Sequence, residues 1–103
     1  MNSLAVHVLF RYSQKTGKID TTMTAIGKAQ MQLWALQNTT KTKGCLICER
    51  DTGKVVFTAL GTKDGFPKIK KGKEVEGMTC EDFGIPLEDL RSITDDRFDK
   101  ETV

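Results

Sequence analysis

The chain has 103 residues, 38% of them hydrophobic and 29% charged, which fits one globular domain and excludes a disordered chain. The apolar stretch from Leu4 to Phe10 is broken by His7 and closed by Arg11, far short of the ~18 residues of a membrane span and unlike a signal peptide; three cysteines are too few for a disulfide scaffold. A net charge of +2 conceals a division, since residues 1–73 carry thirteen Lys or Arg against four acids (net +9) and residues 74–103 carry three against ten (net −7).

These totals predict a single domain of the cytoplasm, with a basic body over 1–73 and an acidic segment over 74–103. Along the chain, Leu4, Val6, Val8, Phe10 and Tyr12 alternate with Ala5, His7, Leu9 and Arg11, the period of two of a strand. Gln14-Lys15-Thr16-Gly17-Lys18 then predicts a reversal, a type I turn ending on a left-handed glycine. Threonine-rich Ile19 to Met23 returns as a second strand.

From 24 to 38 the pattern turns helical, with Thr24 as N-cap and Thr39-Thr40 ending the run. At roughly 100° per residue, Ala25, Ile26, Ala29, Leu33 and Leu36 share one stripe, the expected core face. Trp34 lies at the edge of that stripe and Met31 nearly opposite. Either the acidic segment covers Met31 and Trp34 as a second small core, or the two anchor a partner protein or a second copy in a homodimer.

A second hairpin follows, Cys45 to Arg50 and Lys54 to Leu60 around Asp51-Thr52-Gly53. Pairing Arg50 with Lys54 sets Ile47 against Phe57 and Cys45 against Ala59 on a core face, with Leu46, Cys48 and Val56 on the other. That second face is partly apolar and needs a cover. Asp64-Gly65-Phe66-Pro67 reads as a loop, and Ile69 to Val75 as a third tight turn between short edge strands guarded by lysines. Pro86, with Glu88 and Asp89 behind it, opens a short helix over about 86–94. Thr-Gly-Lys recurs at Thr16 and Thr52, each followed by Thr-Ala-Ile/Leu-Gly at unequal spacing, which marks shared turn chemistry and not a duplication.

Chemical signatures are sparse. Cys45-Leu46-Ile47-Cys48 lies in a strand, where positions i and i+3 face opposite sides, so it is expected to be structural, with no metal site. His7 is the one histidine and has no adjacent carboxylate or nucleophile motif. A small ribonuclease would have to be assembled from His7, Glu49, Arg50 and Lys54. The three Gly-Lys steps, at 17–18, 53–54 and 72–73, lack the spacing and following Ser or Thr of a phosphate-binding P-loop.

The densest cationic stretch is Lys63, Lys68, Lys70, Lys71 and Lys73, with Phe66 and Ile69 interleaved. Lysine attracts phosphate and an aromatic face stacks on a base, whereas arginine, which reads bases in pairs of bonds, is scarce in the basic half. The resulting expectation is an α+β fold: an antiparallel sheet of two hairpins on one main helix, with a short C-terminal helix. Its function is expected to be non-catalytic binding of a nucleic acid or nucleotide, without cofactor, through Lys54, Lys63, Phe66, Lys68, Lys70, Lys71 and Lys73. The alternative is a small inhibitor or adaptor, of the accessory type carried by phages and mobile elements. It would act through Met31/Trp34 or the acidic C-terminal face.

Overall fold

A computed structural model describes residues 5–93. Five strands form one antiparallel sheet: β1 (Val6–Ser13), β2 (Ile19–Ile26), β3 (Lys43–Glu49), β4 (Val55–Leu60) and β5 (Lys68–Lys71), in the order β2-β1-β3-β4-β5. Helix α1 (Ala29–Asn38) covers one face. The other is covered by the chain after β5, which holds 3-10 turns at Gly72–Val75 and Cys80–Phe83 and helix α2 (Leu87–Arg91). The α+β architecture of two hairpins, a main helix and a short C-terminal helix is the one expected.

Both hairpins use the same tip. Gly17 N–H donates to the Ser13 carbonyl at 2.7 Å and Gly53 N–H to Glu49 at 2.8 Å, while Ser13 and Glu49 each donate back to the following lysine carbonyl, Lys18 or Lys54, at 2.9 Å. The glycines have φ of 77° and 76°, a conformation other residues enter only with strain. Each lysine N–H also donates to the threonine hydroxyl two residues earlier, at 3.2 Å. The loop therefore has four residues, not the three that pairing Arg50 with Lys54 requires.

A bulge takes up the extra residue. Cys48 pairs with Val55, but Ile47 pairs with Phe57 and Cys45 with Ala59. The inner part of the register is as expected, and Val56 is the inserted residue. In such a bulge two neighbours oppose one residue and share its side of the sheet. Val56 thus joins Phe57 on the α1 face, and Val55 takes the place expected of Val56 on the other. The first hairpin repeats the device at Asp20, between the pairs Tyr12–Ile19 and Arg11–Thr21. A constant offset carries Thr16 to Thr52, Asp20 to Val56 and Phe10 to Leu46. Phe10 and Leu46 face each other across β1 and β3, so the two hairpins are related by a local two-fold there. The Thr-Ala-Ile/Leu-Gly echoes at Thr24 and Thr58 do not fit this correspondence, which carries Thr24 to Leu60.

The helix begins later than expected. Residues 19–26 stay in the ladder with β1, where threonines fit the pleated surface. The break comes at Gly27, with φ 82°, and Lys28, not Thr24, is the N-cap. The C-terminal boundary at Asn38 is as expected, fastened by Thr39 Oγ1 donating to the Ala35 carbonyl at 2.7 Å. Met31, at 2% exposed, and Ala35 face the sheet, beside Leu9, Cys45, Ile47, Phe57 and Ala59. The expected stripe is overturned: Leu33 is 62% exposed and Leu36 36%. Met, Leu and Trp lie all round α1, so its periodicity could not choose a face, and the entry angle after Gly27 chose it.

The opposite core gathers Val8, Phe10, Leu46, Cys48 and Val55 under Val75, Cys80 and Leu90, with Ile85, Leu87 and Ile93 packed against it. The expected cover for the second sheet face is thus the acidic segment, which does not reach Met31 as a second small core would require. The segment docks through apolar side chains and through hydrogen bonds to backbone carbonyls. Cys80 N–H donates to the Gly53 carbonyl at 2.8 Å, Arg91 Nε to Asp51 O at 2.9 Å and Arg50 to Ile93 O at 3.2 Å. The third tight turn is also corrected: β5 runs into a 3-10 turn at Gly72–Val75, without a returning strand. Helix α2 ends at Arg91, short of the expected 94, and residue 94 lies outside the described residues.

Candidate anion-binding site

A groove of about 440 Å³ lies between the start of α1, the start of β4 and the Gly72–Val75 turn. Its lining includes Lys28, Lys54, Lys73 and Glu76, with Val55, Val56 and Val75 as its apolar part. Lys54 is presented by the β3–β4 tip, Lys28 by the break after Gly27, and Lys73 by the turn that begins at Gly72. Val56 reaches the groove because the bulge turns it to the α1 face. Three chain segments, distant in sequence, therefore contribute three lysines and one glutamate to the lining of one concavity.

None of the three lysines enters an ion pair among the described residues. The ion pairs found there are Asp20 with Arg11 at 2.9 Å and with Lys43 at 2.7 Å, and Arg50 with Asp51 at 3.6 Å. The start of α1 adds to the positive field. Its N-cap makes no side-chain capping bond and its first turn has no acidic residue, so helix amides lack the usual local acceptors.

The residues expected at an anion site are only partly gathered. Lys54 and Lys73 line the groove. Lys71 faces Phe57 in the β4–β5 ladder, on the α1 side, while Lys70 faces Thr58 and Lys68 faces Leu60, on the other side. Lys63 and Phe66 belong to the β4–β5 loop beyond the far end of β5. Phe66 is 78% exposed there, and Thr62 Oγ1 donates to its carbonyl at 2.8 Å. Lys28 was not among the expected residues, because a helix starting at Thr24 makes it an ordinary surface position. Gly27 was the signal that could have moved the boundary.

For the expected protein interface, Met31 is a correction. It is buried in the core with Ala35, and Trp34 is half-buried against the same cluster. The apolar side chains that α1 presents outward are Leu33 and Leu36. On the acidic segment, Glu81, Asp82, Glu88 and Asp89 are exposed. Among the described residues none of its acids pairs with a lysine of 63–73; Glu76 comes into the same groove as Lys73.

The cysteines face as strand alternation requires, Cys45 in the core beneath α1 and Cys48 in the opposite core with Cys80. All three are buried and unbridged. Burial, with a smaller effect of Cys80, pushes the Cys48 thiol up to about 12, so it stays protonated and unreactive at neutral pH. The described residues contain no group of three or more His, Cys, Asp or Glu that could hold a metal ion. His7 is 6% exposed, its Nδ1 lies 3.0 Å from the Ala5 carbonyl, and Glu49 is its neighbour across β1 and β3. Glu49, named with His7 in the ribonuclease alternative, reaches it through the pairing of β1 with β3. No hydrogen bond joins the two side chains among the described residues. No helix among the described residues is long and apolar enough to cross a membrane. No protein-family model, curated protein or solved structure matches the chain.

Proposed function

We propose that the chain is a non-catalytic cytoplasmic binding protein that holds a phosphate-bearing ligand, a nucleic acid or a nucleotide, in the groove between α1 and the Gly72–Val75 turn. The observation that carries this reading is the convergence of Lys28, Lys54 and Lys73 on one partly apolar concavity without an ion pair among the described residues. Lysines lining one concavity raise its positive potential and attract an anion. A groove of about 440 Å³ falls within the range of small-molecule sites. Lys71 extends the positive surface on the same side of the sheet. Lys63, Lys68 and exposed Phe66 lie beyond it, where a longer ligand would find charge and a stacking face. Lysine supplies charge without paired bonds to base edges, so the ligand is selected by phosphate and not by base sequence.

Fluorescence anisotropy with a labelled single-stranded oligonucleotide and with a labelled nucleoside triphosphate tests this. Binding is expected to weaken with salt, with a log–log slope of about −2 for three lysines on a single strand. The variant Lys54→Glu/Lys73→Glu is expected to lose it. Absence of binding to either probe at low salt, or unchanged binding by the double variant, would reject the reading. One observation favours a second reading, contact with another protein: Leu33 and Leu36 are exposed together on the outer side of α1. Leu33→Glu/Leu36→Glu releasing a captured stoichiometric partner, with anion binding intact, would favour it.

A further inference from the structure

The two outer strands of the hairpins are treated differently. Strand β4 is bonded on its outer side almost throughout. Strand β5 pairs with Phe57 to Leu60, Val55 N–H donates to Met78 O at 3.0 Å, and Cys80 N–H donates to Gly53 O at 2.8 Å. Strand β2, its counterpart under the local two-fold, pairs only with β1 among the described residues. The bond from Gly27 N–H to Ala5 O, 3.1 Å, fixes the phase of that ladder. Thr21, Met23 and Ala25 turn their backbone groups toward β1, so Thr22, Thr24 and Ile26 turn theirs outward. Thr22 and Thr24 correspond to Thr58 and Leu60, the positions that face Lys70 and Lys68 of β5. Where hairpin two has β5, hairpin one has no strand among the described residues.

Exposed edges are normally kept short or guarded by lysine, proline or a bulge. Strand β5 follows that rule, with four residues of which three are lysines. Strand β2 has eight residues. Its one charged residue, Asp20, sits in the bulge near the tip and is held by Arg11 and Lys43. Thr21 to Ile26 carry no charge, no proline and no bulge.

We infer that the β2 edge is a strand-addition site, and that its occupant is β2 of a second copy of this chain, running antiparallel about a two-fold axis. With Thr24 opposite its own copy, Thr22 falls opposite Ile26, and every outward N–H and C=O on both strands meets a partner of the right phase. An uncharged edge offers no complementarity by which to select a foreign strand, whereas two copies meet here without like-charge repulsion. Threonine pairs also suit such a ladder. The contact is isologous and closes on itself, so it gives a dimer and not a fibre. Its product is one continuous sheet of ten strands, twice the five of each copy.

Sedimentation equilibrium of the full chain tests the inference. The wild type is expected at twice the chain mass of 11.5 kDa, falling toward one chain on dilution. Thr22 is exposed and its N–H points outward, so Thr22→Pro removes an edge donor without costing a bond to β1. That variant is expected as a monomer with unchanged far-UV circular dichroism. Thr22→Lys, which guards the edge as β5 is guarded, is expected to do the same should the proline disturb folding. A wild type that sediments as one chain at every concentration overturns the inference, as do folded Thr22→Pro and Thr22→Lys variants that remain dimers. Protection of the Thr22 and Thr24 amides in a monomer, by another segment of the same chain, overturns it equally.

Discussion

The tips of the two hairpins are near twins, Lys15-Thr16-Gly17-Lys18 and Asp51-Thr52-Gly53-Lys54, with matching backbone bonds and a bulge at matching positions. Their surroundings are opposite. A Cβ on Gly17 would meet nothing within 4 Å, whereas one on Gly53 would lie 3.0 Å from both Cys80 Sγ and Leu87 Cδ1. The acidic segment has closed over the second tip, carrying its backbone bonds and Leu90 with it, and the clamped tip is the one that directs its lysine into the groove. The comparison separates what a local sequence encodes, a turn, from what the rest of the chain makes of it, an anchor and one wall of a groove.

The largest expected effect comes from loosening the clamp. Leu90 is fully buried, and Leu90→Ala should cost about 2–5 kcal/mol. Ile19→Ala beside the free tip, where the side chain is 39% exposed, should cost about 1 kcal/mol or less by the smaller apolar area it buries. Urea unfolding of both variants measures the gap, and equal losses would deny that the two tips differ. The glycines sharpen the same point. Gly17→Ala carries only the left-handed strain, about 1–2 kcal/mol. Gly53→Ala adds overpacking against Cys80 and Leu87, together about 2–5 kcal/mol. A Gly17→Ala variant as unstable as Gly53→Ala would show that the clamp contributes nothing at this position.

Titration gives a smaller contrast, at opposite ends of the pH range. Cys48, beneath the clamped hairpin, has a folded pKa raised to about 12 from an ordinary 9.0. Stability should therefore be full below about 9 and decline as pH rises toward 12, and Cys48→Ala should flatten that alkaline limb. Asp20, beside the free tip, is held well below the usual carboxylate range by hydrogen bonds from Arg11, Lys43 and Thr21. Its contribution is present above the ordinary carboxylate pKa and is lost on acidification. It is exposed and screened by salt, so Asp20→Asn should change the acid limb only slightly. Denaturant midpoints across pH check both limbs, and a Cys48→Ala protein with an unchanged alkaline limb would contradict the burial argument.

Local features were the legible ones. The strand alternation of residues 6–12, the Thr-Gly-Lys turns and the pairing of Ile47 with Phe57 followed from periodicity and turn chemistry, which act over a few residues; Leu4 lies outside the described residues. Two errors in the second hairpin shared one cause. A three-residue loop gives almost the same register as a four-residue loop with a bulge, and only the exchange of Val55 for Val56 separates them. The α1 stripe was illegible because apolar side chains surround the helix, so docking decided whether Met31 or Leu33 would be buried. The groove was half legible. Lys54 and Lys73 stood out as turn lysines, but their meeting with Lys28 depends on how the sheet, the helix start and the last turn are assembled, which no local pattern carries.

The central claim, that the clamped tip and its neighbours form an anion site while the free tip does not, is tested most directly by matched charge reversals. Binding of a labelled single-stranded oligonucleotide is measured at low salt for Lys54→Glu and Lys73→Glu against Lys15→Glu and Lys18→Glu, all with the same change of net charge. The account predicts that either groove variant weakens binding about tenfold or more, the size of 1.4 kcal/mol or more of lost attraction, and that the free-tip pair leaves it within about twofold. Equal losses for all four would mean that overall charge and not the groove attracts the ligand, and would contradict the account.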